Sequence, residues 1–296
     1  MIEFHADDYG MSLPSSLRII ECIEKGNING ISLMPNAPCF AECMELLQRE
    51  CKRDIKMAIH LNLMTQRPLG DPGRLPDLVR PDGSFCVSYK KLLLASVLPG
   101  MRKRYMRQIK EELLLQIKKC LPYYPEGAKI RLDSHRHFHM VPVVFDSLAQ
   151  LIEEEGLAVE YIRIIHEKPA FYRNISKTEN FRMINIVKAV LLNTLGRVDK
   201  RRQPALYKRG TSDFASILLS GVMTEKNLDL LLGNIKKHRE KFRDDIELMF
   251  HPGGIFEKED LEQITDEEDR KYMSDMMRKR EMAAVMKQYG LTGEDV

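Results

Sequence analysis

The chain of 296 residues contains no tryptophan, so no indole platform can stack on a ligand; tyrosine, phenylalanine and methionine must supply such contacts. No run approaches the ~18 apolar residues of a membrane span. No basic segment followed by an apolar stretch opens the chain, so no signal peptide is visible. These absences predict a cytoplasmic protein with no membrane partner. Six cysteines lie within the first 120 residues, none in a C-x-x-C pair or at finger spacing from a histidine. They read as reduced thiols rather than as a disulfide framework or a structural zinc site. No fixed-period repeat is present. The net charge of +3 is small beside 89 charged side chains and carries no information about partners.

What the chain does have is alternation. Short apolar runs at Ile2–Ala6, Gly30–Met34, Lys56–His60, Lys129–Asp133, Glu160–Ile164, Asp213–Leu219 and Ile246–Phe250 read as strands. Helical stretches are predicted at Pro14–Lys25, Ala37–Arg49, Leu98–Cys120, Pro142–Glu155, Arg182–Leu195, Thr224–His238 and Asp266–Tyr289. Strands alternating with helices predict a parallel α/β sheet, and about seven such units favour a closed or nearly closed barrel. One domain over residues 1–296 is expected. Two segments interrupt the pattern. Gln66–Ser84 is rich in Pro, Gly and Asp and reads as a long loop. Residues 169–210 hold ten Lys/Arg against two Asp/Glu, a local net of +8. This basic insert is expected to contain a helix, with an apolar stripe of Ile184, Val187, Leu191 and Leu195 docked on the body. Its charge is either a collar for an anionic ligand or a solvated face. No nucleic-acid-binding motif accompanies it, so no nucleic-acid partner is expected.

Four pieces carry chemistry, each at the C-terminal end of a predicted strand, where parallel α/β folds bind ligands. They are Asp7-Asp8, His60, the run Asp133-Ser134-His135-Arg136-His137-Phe138-His139, and His251 before Pro252-Gly253. Two adjacent carboxylates are costly in a poorly hydrated site, and a cation is the commonest compensation. In an extended chain, Asp133, His135, His137 and His139 would share one side. Alternate residues stand ~6–7 Å apart, so only one of these histidines is expected to ligate an ion. The others are left as substrate contacts or supports. One Asp and two His from distant segments suit a catalytic metal site with open positions. The second Asp of the pair is then free to act as a general base. His5 is excluded from this set, and His166 and His238 are read as surface residues.

Taken together, Ala6-Asp7-Asp8-Tyr9-Gly10-Met11-Ser12, His60-Leu61-Asn62-Leu63, Leu132–Met140 and His251-Pro252-Gly253 resemble the motifs of the YdjC-type carbohydrate deacetylases, in family order across residues 1–255. Tyr9 stands where Phe is more usual. The resemblance implies a NodB-like distorted (β/α) barrel that removes N-acetyl groups from acetylated mono- or oligosaccharides such as chitooligosaccharides. It implies one divalent metal, Mg²⁺ by family assignment, held by Asp8, His60 and His135. It implies Asp7 as general base, His251 as general acid and Arg163 beside the base. Asp133, His137 and His139 remain substrate contacts or supports. By ligand softness, two imidazoles and a carboxylate suit Zn²⁺ or another first-row ion. The competing readings are a metal-dependent phosphoester hydrolase, which the basic insert would serve, and a sugar-binding protein with a vestigial site. The sequence is compatible with a homodimer but carries no signal for oligomeric state.

Overall fold

Along each strand of the protein, apolar and polar residues alternate, and the two sets face different surroundings. The computed structural model describes residues 1–175, 181–262, 264 and 267–289. Its strands are β1 (Ile2–Tyr9), β2 (Gly30–Leu33), β3 (Lys56–Leu61), β4 (Ile130–Ser134), β5 (Val159–Ile162), β6 (Asp213–Ala215) and β7 (Ile246–Phe250). All pair in parallel in one sheet of order β5-β4-β3-β2-β1-β7-β6. Parallel strands need crossovers, and helices supply them. They are α1 (Leu13–Lys25), α2 (Phe40–Glu50), α3 (Tyr89–Val97), α4 (Pro99–Cys120), α5 (Pro142–Glu154), α6 (Met183–Arg202), α7 (Pro204–Tyr207), α8 (Glu225–Lys237), α9 (Lys258–Leu261), α10 (Glu267–Met273) and α11 (Met277–Met286).

The apolar set, including Phe4, Ile31, Ile59, Leu132, Ile162 and Leu248, is fully buried in one continuous core. Each such side chain contributes about 1.5–3 kcal/mol by leaving water. The alternate set is polar: Glu3, His5 and Asp7 on β1, Ser32 on β2, His60 on β3, Asp133 on β4 and Glu247 on β7, all buried. The sheet curls around this polar interior and makes a single α/β domain. Its edges, β5 and β6, do not pair as strands but come together at a seam. There Arg209 donates to the Val159 carbonyl. Gly210 passes so close to Ile164 that an added Cβ would lie 2.2 Å from its Cγ1. Only glycine permits that approach.

Several elements differ from the sequence expectation, each for a local reason. β1 runs on to Tyr9 rather than ending at Ala6. It carries a bulge between Ala6 and Tyr9, and Asp8 adopts φ 69°. β6 stops at Ala215 rather than Leu219. The backbone N–H groups of Ser216, Ile217 and Leu218 donate to the buried Glu167 carboxylate instead of to a ladder. The expected extended run through His139 ends at Ser134, where the chain turns. The apolar run at Tyr89–Val97 forms a helix, started by the Ser88 hydroxyl accepting from Lys91 N–H. The C-terminal helical stretch divides into α10 and α11, and Asp266 lies outside the described residues, as do 176–180 of the basic insert. Within that insert, α6 docks through Asn185, Ala189, Leu192, Leu195, Gly196 and Asp199. Ile184 and Val187 are 56% and 55% exposed, so the expected docking stripe holds only at Leu195 and, in part, at Leu191.

Asp199 is fully buried and neither carboxylate oxygen has a partner. Nearby Asp146 of α5 is already held by Arg102, Arg202 and Gln203. Burial, reinforced by repulsion from Asp146, pushes the Asp199 carboxyl up to about 8. The folded chain therefore keeps a proton that the unfolded chain releases near ~4. Stability falls as pH rises from that range through about 8 and is flat above it. Asp199→Asn should accordingly raise the melting temperature by at least a few degrees near pH ~7.5 and leave it unchanged near pH ~3.5. An equal shift at both values would contradict a protonated buried acid.

Candidate active site

Six segments bring polar side chains to the C-terminal edge of the sheet, and the bulge in β1 decides how the two aspartates divide. In a regular strand successive side chains point to opposite faces. Between the pairs Ala6–Ile31 and Tyr9–Leu33, β1 has one residue more than β2. Asp8 takes the extra position in the left-handed region, which Asp tolerates better than most residues. Both carboxylates thereby stay buried at the same end of the interior, each 3% exposed.

Asp7 accepts two hydrogen bonds from Arg163, Nη1 to Oδ2 and Nη2 to Oδ1, both 2.9 Å. Arg163 follows β5 and is completely buried rather than lying on the surface. The same guanidinium reaches Asp133 Oδ2 at 2.8 Å and, through Nε, Glu247 Oε1 at 2.5 Å. Burial opposes its charge, but Asp133, Asp7 and Glu247 outweigh it and hold the group well above the usual arginine range.

Asp8 faces two imidazoles instead. His135 Nδ1 lies 2.9 Å and His60 Nε2 3.3 Å from Asp8 Oδ1. Burial raises the Asp8 carboxyl, yet the two histidines hold it well below the usual range. His60 Nδ1 is 2.7 Å from Asp133 Oδ1, which orients the ring with Nε2 toward Asp8. Burial lowers His60, but Asp133 and Asp7 push it up to about 10. A positive charge at this point is therefore favoured.

Among the described residues, three groups of His and carboxylate atoms lie close enough to hold a metal ion: Asp8–His60–His135, His5–Asp133–Glu247 and Asp7–His60–Asp133. The last two are spoken for. His5 is bonded to Glu3 and Ser32, Asp133 to His60, Ser32 and Arg163, and Glu247 to Arg163 and Tyr161. Only the first keeps unpartnered buried atoms, Asp8 Oδ2 and His135 Nε2. These are lone pairs a cation could take, so the donor set fits a divalent ion.

The other histidines of the 135–139 run separate. The segment His135–Met140 is a tight turn with Arg136 at φ 56° and His137 at φ 59°, not an extended strand. His139 is locked, Nδ1 at 2.6 Å from Ser134 Oγ and Nε2 at 2.7 Å from the Arg163 carbonyl. It fixes the backbone that carries Arg163. His137 instead lines the cavity, with Nδ1 buried and unpartnered. Two consecutive left-handed residues cost about 1–3 kcal/mol each, which the packed surroundings must hold in place.

A cavity of about 560 Å³ opens above this floor. Asp7, His60, His135 and His137 line its base, and His251 and Tyr272 one wall. Ile184, Val187, Lys188, Leu191 and Leu192 of α6 form its roof. The His251 backbone N–H donates to Glu281 Oε2 at 2.6 Å, and its ring Nδ1 lies 3.5 Å from the same oxygen. Burial raises Glu281, but Arg278 and then His251 pull it down to about 2. A charged carboxylate thus stands behind the ring.

A family model described as YdjC-like protein matches residues 1–289. The chain belongs to the YdjC-like protein family. It is 28% identical to a carbohydrate deacetylase of Clostridium beijerinckii over 177 residues, 60% of this chain and 65% of that protein. It is 29% identical to one of Geobacillus stearothermophilus over 159 residues, 54% of this chain and 58% of that protein. These matches span less than two thirds of either relative. A third carbohydrate deacetylase, of Listeria welshimeri, is 25% identical over 259 residues, 82% of this chain and 99% of that protein. A crystal structure of an Enterococcus faecalis V583 protein, provisionally described as a cellobiose-phosphate cleavage protein, superposes with a TM-score of 0.66 at 18% identity. It covers 97% of this chain and 90% of that one, and shares the fold.

In this YdjC-like chain the structure brings Asp7, Asp8, His60, Asp133, His135, His137, Arg163 and His251 to one end of the interior. Sequence reasoning missed Glu281, Tyr272 and Glu247; it expected the helix of the basic insert but not its place over the cavity. Glu281 sits in a run of charged residues on α11, and nothing in the sequence marks it as buried. Because Arg163 offsets three buried carboxylates, Arg163→Met should destabilise the fold by about 3–5 kcal/mol in chemical denaturation. Arg163→Lys should recover only part of the loss, since it cannot make the paired contact with Asp7.

Proposed function

We propose that the protein is a metal-dependent deacetylase that removes N-acetyl groups from acetylated carbohydrates. The observation that carries this reading is the Asp8–His60–His135 set, whose unpartnered Asp8 Oδ2 and His135 Nε2 lie beneath a cavity that also holds Asp7 and His251. The relatives named carbohydrate deacetylases support it. A divalent ion held by Asp8, His60 and His135 would polarise the acetamide carbonyl and acidify water.

The chain's own groups do the rest. Asp7 takes a proton from the attacking water as its oxygen bonds to the carbonyl carbon. Arg163 holds the Asp7 carboxylate in place for this. Its single positive charge is shared among Asp7, Asp133 and Glu247, so Asp7 is oriented without being fully neutralised. His251 gives a proton to the nitrogen as the C–N bond breaks, releasing acetate and the free amine. Glu281, 3.5 Å from the ring Nδ1 and bonded to the His251 backbone N–H, keeps the ring turned toward the cavity. Asp133 fixes the His60 ring, and His137 offers a polar contact to the sugar. Two imidazoles with one carboxylate favour a first-row ion over Mg²⁺, and elemental analysis of protein purified without added metal reads which is held.

General acid and base groups each contribute ~10²–10⁴-fold. Asp7→Asn and His251→Ala should therefore lose turnover by that factor while keeping bound metal. His60→Ala and His135→Ala should lose the metal. Acetate release from N-acetylated oligosaccharides reads the first pair and metal content the second. Unchanged metal in the His60 variant would contradict its assignment as a ligand. Phosphate release from phosphosugars without acetate release would replace the reading with a phosphoester hydrolase.

A further inference from the structure

The roof helix α6 buries one face and leaves an apolar stretch of another exposed. Its buried residues Asn185, Ala189, Leu192, Gly196 and Asp199 recur at three- and four-residue steps and rest on the body. The opposite face of its first half is apolar and open to solvent: Met183 is 72%, Ile184 56%, Val187 55% and Val190 63% exposed. Basic residues surround and continue this face. Arg182, Arg197, Lys200 and Arg201 are all exposed, and none has an acidic partner among the described residues. The helix's one acid, Asp199, is buried and offsets none of that charge.

We propose that this outer face of α6 docks on an anionic membrane surface. Clustered exposed apolar side chains mark an interaction site, and the cations select the partner. A two-fold interface with a second copy would set α6 against itself and oppose like charges. A bilayer needs neither shape complementarity nor a large area. Its headgroups supply negative charge to Lys and Arg, and its boundary accepts a few apolar side chains. The expectation of no membrane partner rested on the lack of a spanning segment, and surface docking does not need one. Among the described residues, indeed, no helix is long and apolar enough to cross a membrane. Because Ile184 and Val187 also line the cavity, docking would place its mouth at headgroup level. Sugars displayed there would be within reach, a consequence that rests on the deacetylase reading, whereas the docking itself does not.

Sedimentation of the full chain with sucrose-loaded vesicles tests this directly. Vesicles of phosphatidylcholine with roughly one-third phosphatidylglycerol should bind the protein at least ~10-fold better than phosphatidylcholine alone, and less well as salt rises. Met183→Glu with Val190→Glu should weaken that binding ~10-fold or more, as should Arg197→Glu with Arg201→Glu. None of these four side chains lines the cavity, so melting temperature and acetate release from a soluble substrate should be unchanged. Leu17→Glu, at a 50%-exposed position on α1, should leave vesicle binding intact. Absence of binding to the anionic vesicles, or binding equal in the Met183/Val190 variant, overturns the proposal. So does a dimer in solution that the same substitutions dissociate. Vesicle binding is read without turnover, so failure of the deacetylase assay and failure of docking are separate results.

Discussion

The buried guanidinium of Arg163 is the constraint around which the interior is arranged. A lone charge at that depth would cost several kcal/mol. It is tolerated because carboxylates on β1, β4 and β7 converge on it from three directions: Asp7, Asp133 and Glu247. Each can reach it only if its strand arrives at the right height, so the cluster ties strand register to the position of the site. The His139 ring then holds the Arg163 carbonyl, which fixes the backbone at the β5 edge as well. A seam without strand pairing is tolerable at that edge because an ionic crosslink spans the interior beside it.

The same cluster explains why two adjacent acids can coexist. Asp7 is paired with Arg163, while Asp8 faces His60, which Asp133 and Asp7 push up to about 10, and His135, which burial pulls down, so the neighbours rest on different partners. The single extra residue in β1 makes this division possible. Without the bulge, alternation would turn one of the two carboxylates out of the interior. One compensation is permanent, since arginine does not lose its proton in a protein. The other comes from imidazoles, which can give up a proton and bind a cation instead. The pair therefore holds one acid fixed in a structural ion pair and one free to exchange its partner.

Much of this was legible in the sequence because period and position carry it. The β/α alternation, the strand-end placement of Asp7-Asp8, His60 and His251, and the basic excess over 169–210 all follow from patterns within short windows. The 135–139 run was misjudged in geometry because alternate spacing describes a strand only while the chain stays extended. Arg136 and His137 leave the extended region, so three look-alike histidines end in three environments. β6 was drawn too long because a partner distant in sequence, the Glu167 carboxylate, claims its N–H groups. Glu281 and Glu247 were invisible for a related reason: a carboxylate in a charged or alternating segment reads as surface until its cation is known. The acid on α6 was equally hidden, because burial beside Asp146 is a property of helix packing.

The position of α6 follows from small residues as much as from its apolar ones. At Gly196 an added Cβ would come within 3.2 Å of Met140 Cε and 3.5 Å of the Ile165 carbonyl, so the helix packs closely on both segments there. Met140 closes the turn that carries His135 and His137, and Ile165 lies two residues beyond Arg163. The helix therefore rests on the same segments that position the cavity floor, and the height of the cavity is set where floor and roof touch. The roof contributes apolar side chains, and the floor contributes carboxylates and imidazoles. A ligand held between them must be amphiphilic across its thickness, with a polar edge down and an apolar face up. A pyranose ring has that character, with C–H groups on its faces and hydroxyl and acetamido groups at its edge. On the proposed deacetylase reading, in a chain without tryptophan, Leu191 and its neighbours on α6 would supply the apolar contact that an indole otherwise makes.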